Sequence, residues 1–237
     1  MKKLVFFTIL LLGLTSCNQG VPTLKFEGLN GKVQSVRESR YEALEKFGET
    51  IADELDEVLI MDFDKAGHLL RYFEYDEDGD RKYGWEHVYE GDVVVQTKNY
   101  VGRAEEPSVT ELLSNGKTQF DYKYTDKDTT YTYTSNLFED KLYRKFTYTA
   151  SDTEVELWFN EKGQVLEQKQ TSKGEVLYWA LNKYNDDYML AETEYRGDYP
   201  SRISYKYTEF DSKGNWITAI MFQRGNTYLL KREIRYW

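Results

Sequence analysis

One turn recurs along this chain and limits what it can become. Phe63-Asp64-Lys65-Ala66-Gly67-His68-Leu69, Phe159-Asn160-Glu161-Lys162-Gly163-Gln164-Val165 and Phe210-Asp211-Ser212-Lys213-Gly214-Asn215-Trp216 share one form: Phe, Asp or Asn, two residues, Gly, a polar residue, then an apolar one. An Asx side chain at the start of a turn bonds its own backbone two residues on, and Gly supplies the positive φ that closes a hairpin. More turn signals follow at a steady step. Gly79 and Gly91 come twelve and twenty-four residues after Gly67, while Gly174 and Gly225 come eleven after Gly163 and Gly214. Asn185-Asp186-Asp187 lies eleven past Gly174 and marks a turn without glycine. Reversals at this spacing, with two-faced stretches between them, fit consecutive hairpins.

The stretches between the turns alternate. Val155, Leu157 and Phe159 oppose Glu154 and Glu156; Ile203, Tyr205 and Tyr207 oppose Arg202, Ser204, Lys206 and Thr208; Tyr228, Leu230, Ile234 and Tyr236 oppose Lys231, Glu233 and Arg235. Period two is the strand signature. Tyr122 with Tyr124, and Tyr131 with Tyr133, carry it through a Thr-rich middle. The 21 Tyr and only three Pro suit sheets with one packed and one wet face, since Tyr buries its ring and keeps its hydroxyl accessible. The expected fold is all-β: an antiparallel meander of successive hairpins, either an open twisted sheet or a closed barrel-like one. No break in composition divides residues 29–237, so we expect a single repeat-built β domain there. Residues 41–57 are ambiguous. Their Glu, Ala, Leu and Lys favour a helix, with Leu44, Phe47, Ile51 and Leu55 at helical spacing, whereas Gly48 suits the turn of a long hairpin.

The N-terminus reads as an address. Lys2 and Lys3 precede an apolar run from Leu4 to Leu14, which ends in Leu14-Thr15-Ser16-Cys17, the only cysteine. A charged start, a short apolar stretch and small residues at a cleavage site are the parts of a secretory signal. The run is too short for a membrane span, which needs ~20 residues. Leu14-Thr15-Ser16-Cys17 resembles a bacterial lipobox. That resemblance implies a signal peptide over residues 1–16, lipidation of Cys17, and a tether over residues 17–28 in the cell envelope, periplasmic or surface-exposed. More than one acyl chain suffices for stable anchoring at ~0.8 kcal/mol per buried CH2. With Cys17 spent on lipid, no disulfide remains to hold the domain. Without residues 1–16 the net charge moves from −10 to −12, since two lysines leave with them. So acidic a body excludes a nucleic-acid partner and leaves the lipid as its only hold on a membrane.

Leu29-Asn30-Gly31-Lys32-Val33-Gln34-Ser35-Val36, Tyr41 with Lys46-Phe47-Gly48-Glu49, and Phe210-Asp211-Ser212-Lys213-Gly214-Asn215-Trp216-Ile217 are similar to segments of bacterial lipoproteins with degenerate YD-type (Rhs-like) repeats. A clean Tyr-Asp pair stands only at Tyr75-Asp76. The resemblance implies extended antiparallel sheets of hairpins and assigns no chemistry.

Motifs for chemistry are sparse. Asp76-Glu77-Asp78-Gly79-Asp80 has carboxylates around a Gly turn, as calcium requires, but Glu86 is one position short of the twelfth-position ligand, and a solvated turn is the plainer reading. His68 and His87 are the only histidines and too few for a zinc site; surface or edge positions are expected for both. There is no Gly-x-Ser-x-Gly elbow, no phosphate-cradling loop and no distinguishable pair of catalytic carboxylates. We therefore expect no enzyme, cofactor or metal. Trp85, Trp158 and Trp179 are candidates for stacking on a glycan or protein ligand, against the alternative that such rings pack the covered face. Trp158 stands out by falling on the polar face with Glu154 and Glu156, while Trp216 follows a turn Gly and is expected to pack. An outer-membrane barrel is excluded by the last strand, where Lys231, Glu233 and Arg235 occupy one face and Arg232 the other; a lipid-facing charge at mid-depth costs ~2–4 kcal/mol. The expected function is a non-enzymatic, membrane-tethered binding or scaffold lipoprotein. The alternative is a carbohydrate-binding or carbohydrate-processing accessory protein using exposed aromatics and carboxylates.

Overall fold

A computed structural model describes residues 28–237 except 117, 128, 141, 149–150 and 198–199; residues 1–27, with Cys17, lie outside the described part. Sixteen strands follow one another: β1 (Val33–Lys46), β2 (Glu49–Phe63), β3 (Leu69–Asp76), β4 (Arg81–Glu90), β5 (Val93–Val101), β6 (Ser108–Asn115), β7 (Gln119–Asp126), β8 (Thr129–Asp140), β9 (Tyr143–Tyr148), β10 (Thr153–Phe159), β11 (Val165–Ser172), β12 (Glu175–Tyr184), β13 (Leu190–Arg196), β14 (Ser201–Phe210), β15 (Trp216–Gln223) and β16 (Asn226–Tyr236). Each pairs antiparallel with the next, and β16 returns to β1, so the meander closes into a barrel. Of the two architectures that the alternation allows, the closed one is adopted.

The alternating pattern decides which side chains enter the barrel. On β10 Val155, Leu157 and Phe159 are buried while Glu154, Glu156 and Trp158 face out. Across the seam Val36 pairs with Met61 on one side and Ile234 on the other, and all three point inward. Three apolar clusters line the inner wall. One joins Val94 to residues of β7–β10, one runs from Leu29 and Val33 to Trp85, and one joins Ile203, Ala219, Met221 and Leu230. Tyrosines fill the gaps between them, and Tyr122 stacks on Tyr133 at 5.2 Å in the Thr-rich middle. Lys231, Glu233 and Arg235 alternate with this lining on β16 and lie outside, while Arg232 lies inside against Glu38. Lys231 and Arg235 would each cost ~2–4 kcal/mol if that face met hydrocarbon at mid-depth.

Two kinds of turn recur among the reversals. In the loop Asp64–His68 the Asp64 N–H donates to the His68 carbonyl (2.9 Å), the Gly67 N–H to the Asp64 carbonyl (3.1 Å) and the His68 N–H to Asp64 Oδ1 (2.9 Å). The same three bonds form in the loops 76–80, 160–164, 185–189 and 211–215. The fourth position must be left-handed, and Gly67, Gly79, Gly163 and Gly214 occupy it with φ of 80° to 95°. In the loop 185–189 that place belongs to Tyr188, with φ 62°; a side chain there strains the backbone by about 1–2 kcal/mol. The other kind is a two-residue turn with both φ positive, in Phe47-Gly48, Lys173-Gly174 and Arg224-Gly225. This geometry matches the right-handed twist of the strands it joins.

Residues 41–57 therefore form a hairpin, not a helix. Leu44 pairs with Ile51 and Lys46 with Glu49. Helix propensities of a few tenths of a kcal/mol per residue yield to strand pairing at this Gly turn. The hairpin outruns its neighbours: pairing with β16 stops at Glu42 and pairing with β3 stops at Glu57. Its tip projects as an arm, with Phe47 96% exposed.

At the opposite end, where the described chain begins at Gly28 and ends at Trp237, a side chain completes the seam. Asn215 is 2% exposed. Its Oδ1 accepts from the Asn30 N–H (2.6 Å), and its Nδ2 donates to the Asn30 carbonyl (2.9 Å) and to Tyr236 Oη (2.7 Å). The amide thus acts as a backbone unit between two segments 185 residues apart. Asn215→Ala removes all three bonds, two of them to the Asn30 backbone, and we expect a loss of ~1–2 kcal/mol in thermal unfolding. Amide exchange should rise first along the β1–β16 seam.

Candidate functional site

The outer wall over β8–β13 gathers aromatic rings that lie far apart in sequence. Tyr143 pairs directly with Trp158 across β9 and β10, and their ring centroids are 5.2 Å apart. Phe138, 62% exposed, reaches Tyr143 at 6.1 Å from the next strand. Two strands on, Trp179 stands opposite Lys169 of β11. Its Nε1 donates to Glu167 Oε1 at 2.8 Å, and Glu167 is itself the cross-strand partner of Trp158. The Arg196 guanidinium lies 5.0 Å and the Lys169 ammonium 5.7 Å from the Trp179 ring. Tyr143 Oη donates to Glu156 Oε1 at 2.6 Å. Burial, then the hydrogen bond and charge of Glu156, push the Tyr143 phenol above its ordinary range, so it stays protonated and a donor.

This wall combines half-exposed flat rings, carboxylates locked by their neighbours, and strands that hold both. Apolar ring faces can be covered by C–H-rich surfaces, while Glu156 and Glu167 offer further lone pairs to hydroxyl or amide donors. Of the three sequence candidates, Trp158 and Trp179 come together here. Trp85 lies elsewhere. It points into the barrel at 4% exposure, with Tyr72 stacked at 5.6 Å and His87 at 4.1 Å. Sequence reasoning missed Phe138 and Tyr143. Their pairing with Trp158 depends on the register of β8 and β9, which no residue in those strands announces.

Trp216 packs as expected, half-buried beneath the Arg232 guanidinium at 3.6 Å. The histidines are not at the surface or an edge: His68 and His87 are 6% and 8% exposed. His68 holds the fifth position of its loop, which turns inward over the barrel end; its Nδ1 contacts Asp64 Oδ2 (2.9 Å) and its ring stacks on Tyr89 (4.8 Å). His87 shares the inward register of Trp85, with Nδ1 against Thr97 Oγ1 at 2.9 Å. Asp76–Asp80 is one of the five Asx loops, and Asp76 Oδ1 accepts the Asp80 N–H at 2.8 Å. Among the described residues no three His, Cys, Asp or Glu side chains are grouped to hold a metal ion.

One carboxyl pair inside the barrel does interact. Glu57 and Glu74 hydrogen-bond to each other. Lys82 Nζ lies 2.7 Å from Glu57 and 3.2 Å from Glu74, and Arg40 Nη1 lies 2.9 Å from Glu57. Glycosidase carboxyls stand ~5–9.5 Å apart to admit a sugar carbon or water; two in direct contact, with cations on them, form a structural network instead. Burial, then the hydrogen bond and charge of Glu57, raise Glu74 above its ordinary 4.5. The folded state thus holds a proton that the unfolded chain releases, and stability falls as pH rises from 4.5 through the raised value. Glu74→Gln should flatten that fall in urea titrations run between weakly acidic and neutral pH.

Burial lowers His87 from 6.5 to about 3. The unfolded chain then binds a proton that the folded one refuses, so stability is complete above pH 6.5 and lost as pH falls toward 3. His87→Gln, which can keep the bond to Thr97, should reduce this acid loss in denaturant midpoints measured from neutral pH downward.

No family model matches the chain, and no curated protein matches it. Among solved structures it is similar to a porin-like protein from Bacteroides uniformis ATCC 8492, with 10% identity, a TM-score of 0.46, and coverage of 87% of this chain and 98% of that one.

Proposed function

We propose that this protein is an exported lipoprotein of the cell envelope, anchored through Cys17, that acts without catalysis as a binding or scaffold module. The observation that carries the binding role is the outer wall, where Trp158, Tyr143 and Trp179 are held half-exposed beside fixed carboxylates. The charged outer face supports a barrel standing in water and held to the membrane by its lipid alone. Residues 18–27 span up to ~35 Å when extended, enough to keep the domain clear of a bilayer surface. The net charge disfavours nucleic acid, which leaves a glycan or a protein as ligand. A second reading is favoured by the chemistry of the wall. Flat rings beside locked carboxylates suit a polysaccharide, whose ring faces stack while its hydroxyls donate, and the protein would then be an accessory to carbohydrate binding or processing.

Two measurements test this. Cys17→Ser should move the protein from the membrane fraction to the soluble one; a variant that still pellets with membranes refutes the anchor. Protein lacking residues 1–17 is probed on glycan and peptide arrays beside Trp158→Ala and Trp179→Ala. We expect a signal on one array that each substitution weakens about tenfold, the loss of one buried aromatic contact. Flat responses on both arrays would remove the binding role.

A further inference from the structure

The mouth of the barrel at the end of Gly28 and Trp237 holds a second concavity, separate from the outer wall. An inner cavity of about 190 Å³ is lined by Tyr184, Tyr205, Tyr207, Trp216, Arg232 and Glu38. It opens into an outer depression of about 560 Å³ bounded by Asn30, Lys162, Asp187 and Phe210. Gln164, Tyr188, Met189 and Trp216 border both, so the two are continuous.

Tyr188 is the unusual element. Its four sibling loops place glycine at the equivalent left-handed position, yet this loop keeps a 50%-exposed tyrosine there, on the rim of the cavity. The Lys162 ammonium lies 4.7 Å from its ring, and Gln164 Nε2 donates to its carbonyl at 2.5 Å. Backbone strain retained at a ligand-facing position is a mark of function. Glycine would serve the turn better, so the ring itself is what the site keeps.

The lining also limits the ligand. The Arg232 guanidinium is 2.8 Å from Glu38 and sits over Trp216, so its charge is already matched. At the rim Lys162 and Asp187 oppose one another in sign. The site therefore offers no net charge to an ion. Tyr207 Oη donates to the Leu190 carbonyl (2.6 Å) and Tyr184 Oη to the Val165 carbonyl (3.1 Å). Burial raises the Tyr207 phenol to about 12, so it remains neutral. With its proton committed, the Tyr207 hydroxyl presents lone pairs and calls for a ligand that donates. An inner volume below the ~300 Å³ of drug-sized pockets takes a single ring. We infer that the barrel mouth binds one neutral sugar ring, stacked against Tyr188 and donating a hydroxyl to Tyr207.

The test uses protein lacking residues 1–17 and ligand-observed NMR titrations with glucose, galactose, N-acetylglucosamine and galacturonate. At least one neutral sugar should bind saturably, and galacturonate should bind more weakly. Tyr188→Gly removes the ring and suits the turn: affinity should fall about tenfold, the worth of one stacking contact, while the melting temperature holds or rises. Trp158→Ala with Trp179→Ala should leave this binding intact, which separates it from the outer wall. Absence of saturable binding by every neutral sugar, equal binding of galacturonate, or full affinity in Tyr188→Gly would each overturn the assignment.

Discussion

The pairing of β1 with β16 is the constraint on which the rest depends. Sixteen strands laid side by side would form a twisted ribbon with two long edges, and open sheets rarely exceed about ten strands without curling or splitting. An unpaired edge is also a template for association. Joining Val33–Glu42 to Tyr228–Tyr236 removes both edges over the body of the barrel. It also creates an inside. Only after closure does Ile234 join Val36 and Met61, and only then is Arg232 brought against Glu38. The local clusters are consequences of the ring as much as supports for it.

The division between the two faces follows from that inside. A barrel of this strand number encloses more volume than aliphatic side chains from a thin wall would fill. Tyrosine is suited to the task, since its ring covers area and its hydroxyl reaches a backbone carbonyl, as Tyr89 does to Leu69 and Tyr207 to Leu190. The outer face carries Lys, Glu and Arg in cross-strand pairs such as Lys183 with Glu192. That pattern gives way on the outside to aromatic rings at Phe138, Tyr143, Trp158 and Trp179.

Much of this was legible in the chain. The glycine spacing located the reversals, and the Asn185 turn without glycine stands where its interval put it. The alternation around Glu154 and Glu156 placed Trp158 outward. Closure was not legible, because it rests on pairing between β1 and β16, strands from opposite ends of the described chain with no local signature for each other, and because the twist of many strands must add up to a full turn. The arm was hidden by residues that favour a helix in isolation. The histidines were misplaced for a geometric reason: His68 is polar, but the fifth position of its loop turns inward, as Gln164 and Asn215 also do. The neighbourhood of Trp158 required the register of two further strands, and the mouth cavity required loops that meet only in the closed ring.

The seam has a mechanical consequence. The segment that enters the barrel at Gly28 meets the amide of Asn215 at Asn30 before it reaches the first rung of β1. Tension arriving from upstream is borne first by that side-chain clasp and by the Trp237 N–H on the Lys32 carbonyl. A pull on the chain ahead of Gly28 would load these bonds before the first rung of the ladder. The chain thus enters its ring through a strain relief made from its own loop.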